Sequence, residues 1–191
     1  MPTLCITLLG PPRIERDREP IHIGRKKALA LLAYLAVTPG AHRRDSRAAL
    51  LWPDYDQRTA RTHLRRALVS LNNRLGGVWF VADRESIGLN PDAGLWLDVD
   101  QFRQSLESCE AHEHPADDAC PDCLTRLTEA AELYRDDFMA GFSLPDSLPF
   151  DEWQRHQTEA LCDDLGRVLE RLSACHAAQG EYEPAIAAAQ R

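Results

Sequence analysis

No apolar run in this chain approaches a membrane span: the longest, Ala28 to Val37, is about ten residues, where a bilayer requires about 20. A transmembrane helix is excluded. Met1-Pro-Thr-Leu-Cys5 lacks the basic segment, apolar core and small-residue cleavage site of a secretion signal, so the cytoplasm is the expected location. The signatures of common enzymes are missing too: there is no Gly-rich phosphate loop, no Gly-x-Ser-x-Gly and no His-Glu-x-x-His. The paired acids Asp136-Asp137 and Asp163-Asp164 fall on expected helices, where a wet face accounts for them. Asp54 follows Trp52-Pro53 in a loop and not the strand end of a receiver fold. No candidate site fills even two of the roles a reaction needs, and the chain is read as a non-enzyme. With 10 Gly and 12 Pro against 44% hydrophobic residues, the composition is that of a folded, soluble protein, and 191 residues suit two domains.

A net charge of −8 argues against nucleic acid only if it is spread evenly. It is not: residues 1–98 carry 15 Lys/Arg and 10 Asp/Glu, net +5, and residues 99–191 carry 7 and 20, net −13. One half is suited to phosphates and the other to protein or solvent.

Three short antiparallel strands are expected first, at Thr3–Leu9, Arg13–Arg16 and Ile21–Gly24, punctuated by Gly10-Pro-Pro and Asp17-Arg-Glu-Pro. From Arg25 the period turns helical, with Leu29, Leu32, Ala33 and Ala36 on one face, ending at Thr38-Pro39-Gly40. A shorter helix is predicted over Arg44–Leu51 with Ala48, Leu51 and Trp52 inward. A third runs from Thr59 to Leu75, where Leu64, Leu68, Leu71 and Leu75 form a single stripe. After Gly76-Gly77, the segments Val78–Ala82 and Ile87–Asn90 predict a hairpin around Asp83-Arg-Glu-Ser. These elements, residues 1–95, make an α+β winged helix-turn-helix. Residues 96–191 read as an all-α, tetratricopeptide-like domain. The segment Trp96–Phe102 leads into a helix to about Cys109, and a polar loop follows. The chain reads helical from Leu124, with Leu124, Leu127, Ala131 and Tyr134 on one stripe, as far as a break at Gly141–Pro149. Then come a long helix over Phe150–Gln179 and a last one opening at Glu181-Tyr-Glu-Pro184. Gly180-Glu-Tyr182 fits the turn inside such a repeat. The pattern is unfinished at Arg191, so further helices are expected beyond it.

Projected at about 100° per residue, the face of the third helix opposite the Leu stripe holds Thr59, Thr62, Arg66, Val69, Ser70 and Asn73. It contains no acid. Arg pairs with guanine edges, Asn with adenine, and Thr or Val meets the thymine methyl, so these six are the expected base readers in a major groove. His63 and Arg65 flank the face. Arg58, Arg61, Arg74, Lys26 and Lys27 are expected on phosphates, and Arg84, at the hairpin tip, on the minor groove or adjacent backbone. A solvated helix can also carry Arg on its wet face. The acid-free surface, the short preceding helix and the following hairpin together favour double-stranded DNA, docked in helix-turn-helix fashion.

Six cysteines in a cytosolic chain suggest thiols or a metal site before disulfides. Cys109, His112, His114, Cys120 and Cys123 bring five zinc-compatible ligands into 15 residues, and a Cys-x-x-Cys knuckle with His-x-His could close a tetrahedral structural Zn site. The alternatives are a reduced dithiol beside two exposed histidines, and a redox switch. Cys5, Cys162 and Cys175 sit in periodic apolar stretches and are expected in the core.

Ile6-Thr-Leu-Leu-Gly10, Gly24-Arg-Lys-Lys-Ala-Leu-Ala-Leu-Leu-Ala-Tyr-Leu-Ala, Leu50-Leu-Trp-Pro and Ala60-Arg-Thr-His-Leu-Arg-Arg-Ala-Leu resemble the response-regulator-type winged helix of the SARP-like antibiotic-pathway activators. Leu97-Asp-Val-Asp-Gln-Phe, Leu133-Tyr-Arg-Asp-Asp-Phe-Met-Ala-Gly-Phe and Phe150-Asp-Glu-Trp resemble the bacterial transcriptional activation domain that follows it there. The resemblance implies a transcriptional activator whose helical module contacts RNA polymerase or a second copy of itself. The competing reading is a helical-repeat adaptor whose winged helix does not read DNA.

Overall fold

A computed structural model describes residues 3–112 and 120–191 of the chain. The chain opens with an antiparallel meander, β1 (Leu4–Thr7), β2 (Arg13–Arg16) and β3 (Glu19–Pro20). The third strand starts earlier than the expected Ile21–Gly24. Asp17 and Arg18 both take positive φ, 54° and 69°, the two-residue turn whose twist matches a hairpin, and this returns the chain at Glu19 opposite Arg16.

Next come α1 (Lys26–Val37), β4 (His42–Arg43), α2 (Arg44–Leu51) and α3 (Gln57–Leu75), then the hairpin β5 (Phe80–Ala82) and β6 (Ser86–Leu89). Ala30, Leu31, Leu32, Ala33 and Leu35 of α1 are buried, as are Ala48, Leu51 and Trp52 and the whole Leu64, Leu68, Leu71, Leu75 stripe. The stripe is what seats α3 against α1 and α2. β4 adds an unforeseen third strand to the hairpin, in the order β4-β6-β5, with His42 opposite Ile87 and Arg43 opposite Ser86. Gly88 makes this possible. A Cβ there would lie 2.5 Å from the Gly40 carbonyl oxygen, so backbone would have to move. Gly88→Ala is therefore expected to destabilise the protein by about 1–3 kcal/mol, read from urea midpoints. An unchanged midpoint would show that the 39–41 turn can retreat freely.

β7 (Leu95–Leu97) then runs parallel to β1, pairing Leu4 with Leu95 and Ile6 with Leu97, so the first sheet has the order β3-β2-β1-β7. Trp96 and Leu97 are thus strand, not the lead-in to a helix. The remainder is helical: α4 (Asp98–Glu110), α5 (Pro121–Leu133), α6 (Leu148–Ala178) and α7 (Tyr182–Gln190), each packed on the next. A small β-sheet region beside mostly helices is compatible with a winged helix followed by a helical domain.

The halves interlock. The Met139 N–H donates to the Leu8 carbonyl at 2.7 Å, the Ser147 hydroxyl donates to the Leu50 carbonyl at 2.6 Å, and the Tyr34 and Trp153 rings lie 4.8 Å apart. The buried apolar residues of both form a continuous cluster. At the joint sits Asp98, almost fully buried at 2% exposure, whose carboxylate accepts the backbone N–H groups of Leu8, Leu9 and Val99 at 2.8–2.9 Å.

One core assignment is corrected. Cys175 is buried and Cys5 half-buried, but Cys162 is exposed. The buried stripe of α6 runs through Leu161, Val168, Leu172 and Cys175, and Cys162 lies about 100° round the helix from Leu161.

Candidate functional site

α3 is capped at both ends by side chains. The Asp56 carboxylate accepts the N–H groups of Arg58 and Thr59 at 3.0 and 3.1 Å and the Thr59 hydroxyl at 2.6 Å, and these bonds, led by that hydroxyl, hold its carboxyl below the usual range. At the other end Gly76 takes φ 91°, and the last carbonyl, of Leu75, accepts the Trp79 indole at 2.7 Å and an Arg16 guanidinium N–H at 3.1 Å. The helix is a rigid rod of 19 residues without an acid among them.

Of the six expected base readers, Thr62, Arg66, Val69 and Asn73 are exposed, and Thr59 and Ser70 are half-buried. Val69 is 51% exposed, so its two methyl groups are open to contact from outside. Thr59 has its hydroxyl committed to Asp56. Thr62 has its own on the Arg58 carbonyl at 2.9 Å, which leaves the methyl group as its outward contact.

Beside this face lies a cleft of about 410 Å³, lined by Arg58, Arg61, Thr62, Leu64 and Arg65 of α3, by Gln57 at its start, by Arg44 of α2, and by Arg84 of the hairpin. The hairpin tip is set by Asp83, whose carboxylate accepts the N–H groups of Glu85 and Ser86, and the Arg44 N–H donates to the Glu85 carbonyl at 2.8 Å. Five guanidiniums converge there, and a single one is neutralised: Arg61 forms a bidentate pair with Asp45, which it holds below the usual carboxylate range. Among the described residues no ion pair involves Arg58, Arg65, Arg66 or Arg84. Arg44 and Gln57 were not anticipated from sequence. Arg44 arrives only because the two-residue strand β4 brings the start of α2 to the hairpin.

Other residues expected on phosphates have protein partners. Lys27 pairs with Asp146 at 2.8 Å and lies over the Trp52 ring, and Lys26 lies over Phe142 and donates to the Ser143 carbonyl. Arg74 donates to the His22 carbonyl at 3.1 Å. His63 is half-buried between Trp52, on which it stacks, and Tyr55.

The cysteine and histidine residues form a second constellation where α4 ends and α5 begins. His112 Nδ1 lies 3.1 Å from Cys123 Sγ and 3.8 Å from Cys120 Sγ, and the three ligand atoms fall within 4.8 Å of one another. They are close enough to hold a metal ion. Cys109 abuts them, with Sγ 3.8 Å from the Cys123 carbonyl. His114 lies outside the described residues. Backbone N–H groups, first that of Cys123, and the His112 ring bring the Cys120 thiol down to about 7, whereas burial pushes Cys123 up to about 12.

No family model matches the chain, and no curated protein matches it. Among solved structures it is similar to Mycobacterium tuberculosis EmbR, determined in complex with a low-affinity phosphopeptide, with a TM-score of 0.66 and 18% identity. The likeness is one of fold. It covers 100% of this chain and 59% of EmbR, so the present chain spans well under two thirds of that protein's length.

Proposed function

We propose that this chain is a sequence-specific DNA-binding transcription regulator of the SARP type, acting as an activator. The observation that carries this reading is the exposed, acid-free face of α3, bordered by a cleft of five arginines to which the hairpin contributes Arg84. α3 enters the major groove, where Arg66 and Asn73 read base edges and Thr62 and Val69 offer methyl groups, while Arg58, Arg65, Arg44 and Arg84 hold phosphates. Lys26 and Lys27 serve to fasten the 142–146 segment to α1. The acidic helical half, which DNA repels, is left to protein contacts: RNA polymerase or a second copy of the chain.

Selection from a random duplex pool would yield the preferred site. Direct repeats among the selected sequences would mean head-to-tail docking, and an inverted repeat a two-fold dimer. On the selected duplex, Arg66→Ala is expected to cost about 1–3 kcal/mol and to relax preference at one base pair. Affinity indifferent both to salt and to Arg66→Ala would overturn the proposal.

A further inference from the structure

Four thiol or imidazole groups sit at the α4–α5 junction, outside the helix and hairpin proposed to meet DNA. In sequence they form two pairs with the same spacing, Cys109-x-x-His112 closing α4 and Cys120-x-x-Cys123 opening α5. Zinc bound tetrahedrally to sulfur at about 2.3 Å and to imidazole nitrogen at about 2.0–2.1 Å requires its ligand atoms to stand roughly 3.5–3.8 Å apart. The His112 nitrogen meets the two sulfurs at 3.1 and 3.8 Å, which brackets that spacing. The N–H groups of Asp122 and Cys123 are directed at Cys120 Sγ, the arrangement that a metal knuckle uses to stabilise a thiolate. Cys109 stands outside the group of three whose ligand atoms lie within 4.8 Å of one another, but it is fully buried and its side chain is hydrogen-bonded to that of Cys123, which makes its sulfur the nearest further ligand.

We propose that His112, Cys120 and Cys123, completed by Cys109, bind one structural Zn²⁺ that staples the end of α4 to the start of α5. A Cys₃His set fills four positions and leaves none for water, so the ion is structural and not catalytic. His114, reachable by sequence, is not required. The staple also fixes the end of α4 against α6, because Arg171 donates to the Cys109 carbonyl at 3.0 Å and Arg167 pairs with Glu110.

Elemental analysis of the full chain, purified under reducing conditions without chelator, is expected to give about one zinc per protein, as for a closed structural site. Cobalt titrated into chelator-stripped protein should give intense tetrahedral and thiolate charge-transfer bands. His112→Ala and Cys120→Ser, at half-buried positions, should abolish both readouts while far-ultraviolet circular dichroism still reports helix. Cys109→Ser should weaken retention of zinc, and His114→Ala should leave it unchanged. Zinc retained fully by Cys109→Ser but lost by His114→Ala would overturn the ligand set. Wild-type protein that holds no zinc and gives no cobalt bands would overturn the site itself, as would a Cys120–Cys123 disulfide found in place of metal.

Discussion

Replacing Asp98 by alanine is expected to destabilise the fold by about 3–5 kcal/mol, because a buried charge-assisted network loses its acceptor. The carboxylate ties three backbone N–H groups, those of Leu8, Leu9 and Val99, and both oxygens are used: one accepts from Leu8 and Val99, the other from Leu8 and Leu9. Among the described residues Asp98 is the acceptor these N–H groups are given, where the end of β1 meets the start of α4. Total stability of a protein this size is on the order of 5–15 kcal/mol, so the variant should populate unfolded chain at physiological temperature. Asp98→Asn should be little better, since an amide offers one acceptor where two are needed and turns an N–H toward an N–H. The measurement is the urea midpoint, with the wild-type pH profile beside it. Burial outweighs the N–H groups and pushes the Asp98 carboxyl up. A raised folded-state pKa means that ionisation favours the unfolded chain: this contribution is neutral below pH about 4 and costs stability as pH rises from there through the folded value. Asp98→Ala should remove that slope while lowering stability at every pH. A variant as stable as wild type would mean that water satisfies Leu8 and Leu9 as well as the carboxylate does.

Nothing in the sequence marks Asp98 out, although Leu97-Asp98-Val-Asp carries part of the resemblance to the activation domain. It stands between Leu97 and Val99 at a helix start, where Asp is ordinary, and two of its three partners, Leu8 and Leu9, lie about ninety positions away. Most helices, by contrast, were legible within two or three residues, because Leu64, Leu68, Leu71 and Leu75 or Leu161, Val168 and Leu172 repeat with the helical period itself. The exception is α5, expected to run to the break at Gly141 but ended at Leu133, where Tyr134 turns to extended backbone (φ −83°, ψ 90°) with no Gly or Pro to mark it. Long-range strand pairing leaves no such trace. Leu95–Leu97 has three residues and β4 has two, too few for an alternation to register, yet β7 extends the first sheet and β4 brings Arg44 to the cleft. The same limit explains Lys26 and Lys27. Their charge is plain in the sequence, but Asp146 and the Phe142 ring, which engage them, come from more than a hundred residues further on.

The separation between arginines that have partners and arginines that do not leads to the largest binding effect. The triple variant Arg58→Ala, Arg65→Ala, Arg84→Ala is expected to bind any duplex on the order of a hundredfold more weakly near 0.15 M salt, since each phosphate contact contributes about 0.9 to the slope of log K against log salt. That slope should become shallower by about 2.7 for the three contacts together. All three side chains are exposed and outside the ion pairs of the described residues, so thermal unfolding should hardly move. The loss should be nearly equal on the selected site and on random duplex, because phosphates carry no sequence. Arg66→Ala should do the reverse, narrowing the gap between the two duplexes with little change in salt slope. Arg61→Ala is a third case: it removes a guanidinium already matched by Asp45 and leaves that carboxylate unpaired beside the cleft, so it should weaken binding by added repulsion and not by loss of a phosphate contact. If the triple variant keeps the wild-type slope, the cleft between α3 and the hairpin does not meet phosphate, and DNA binding would have to be sought on another face.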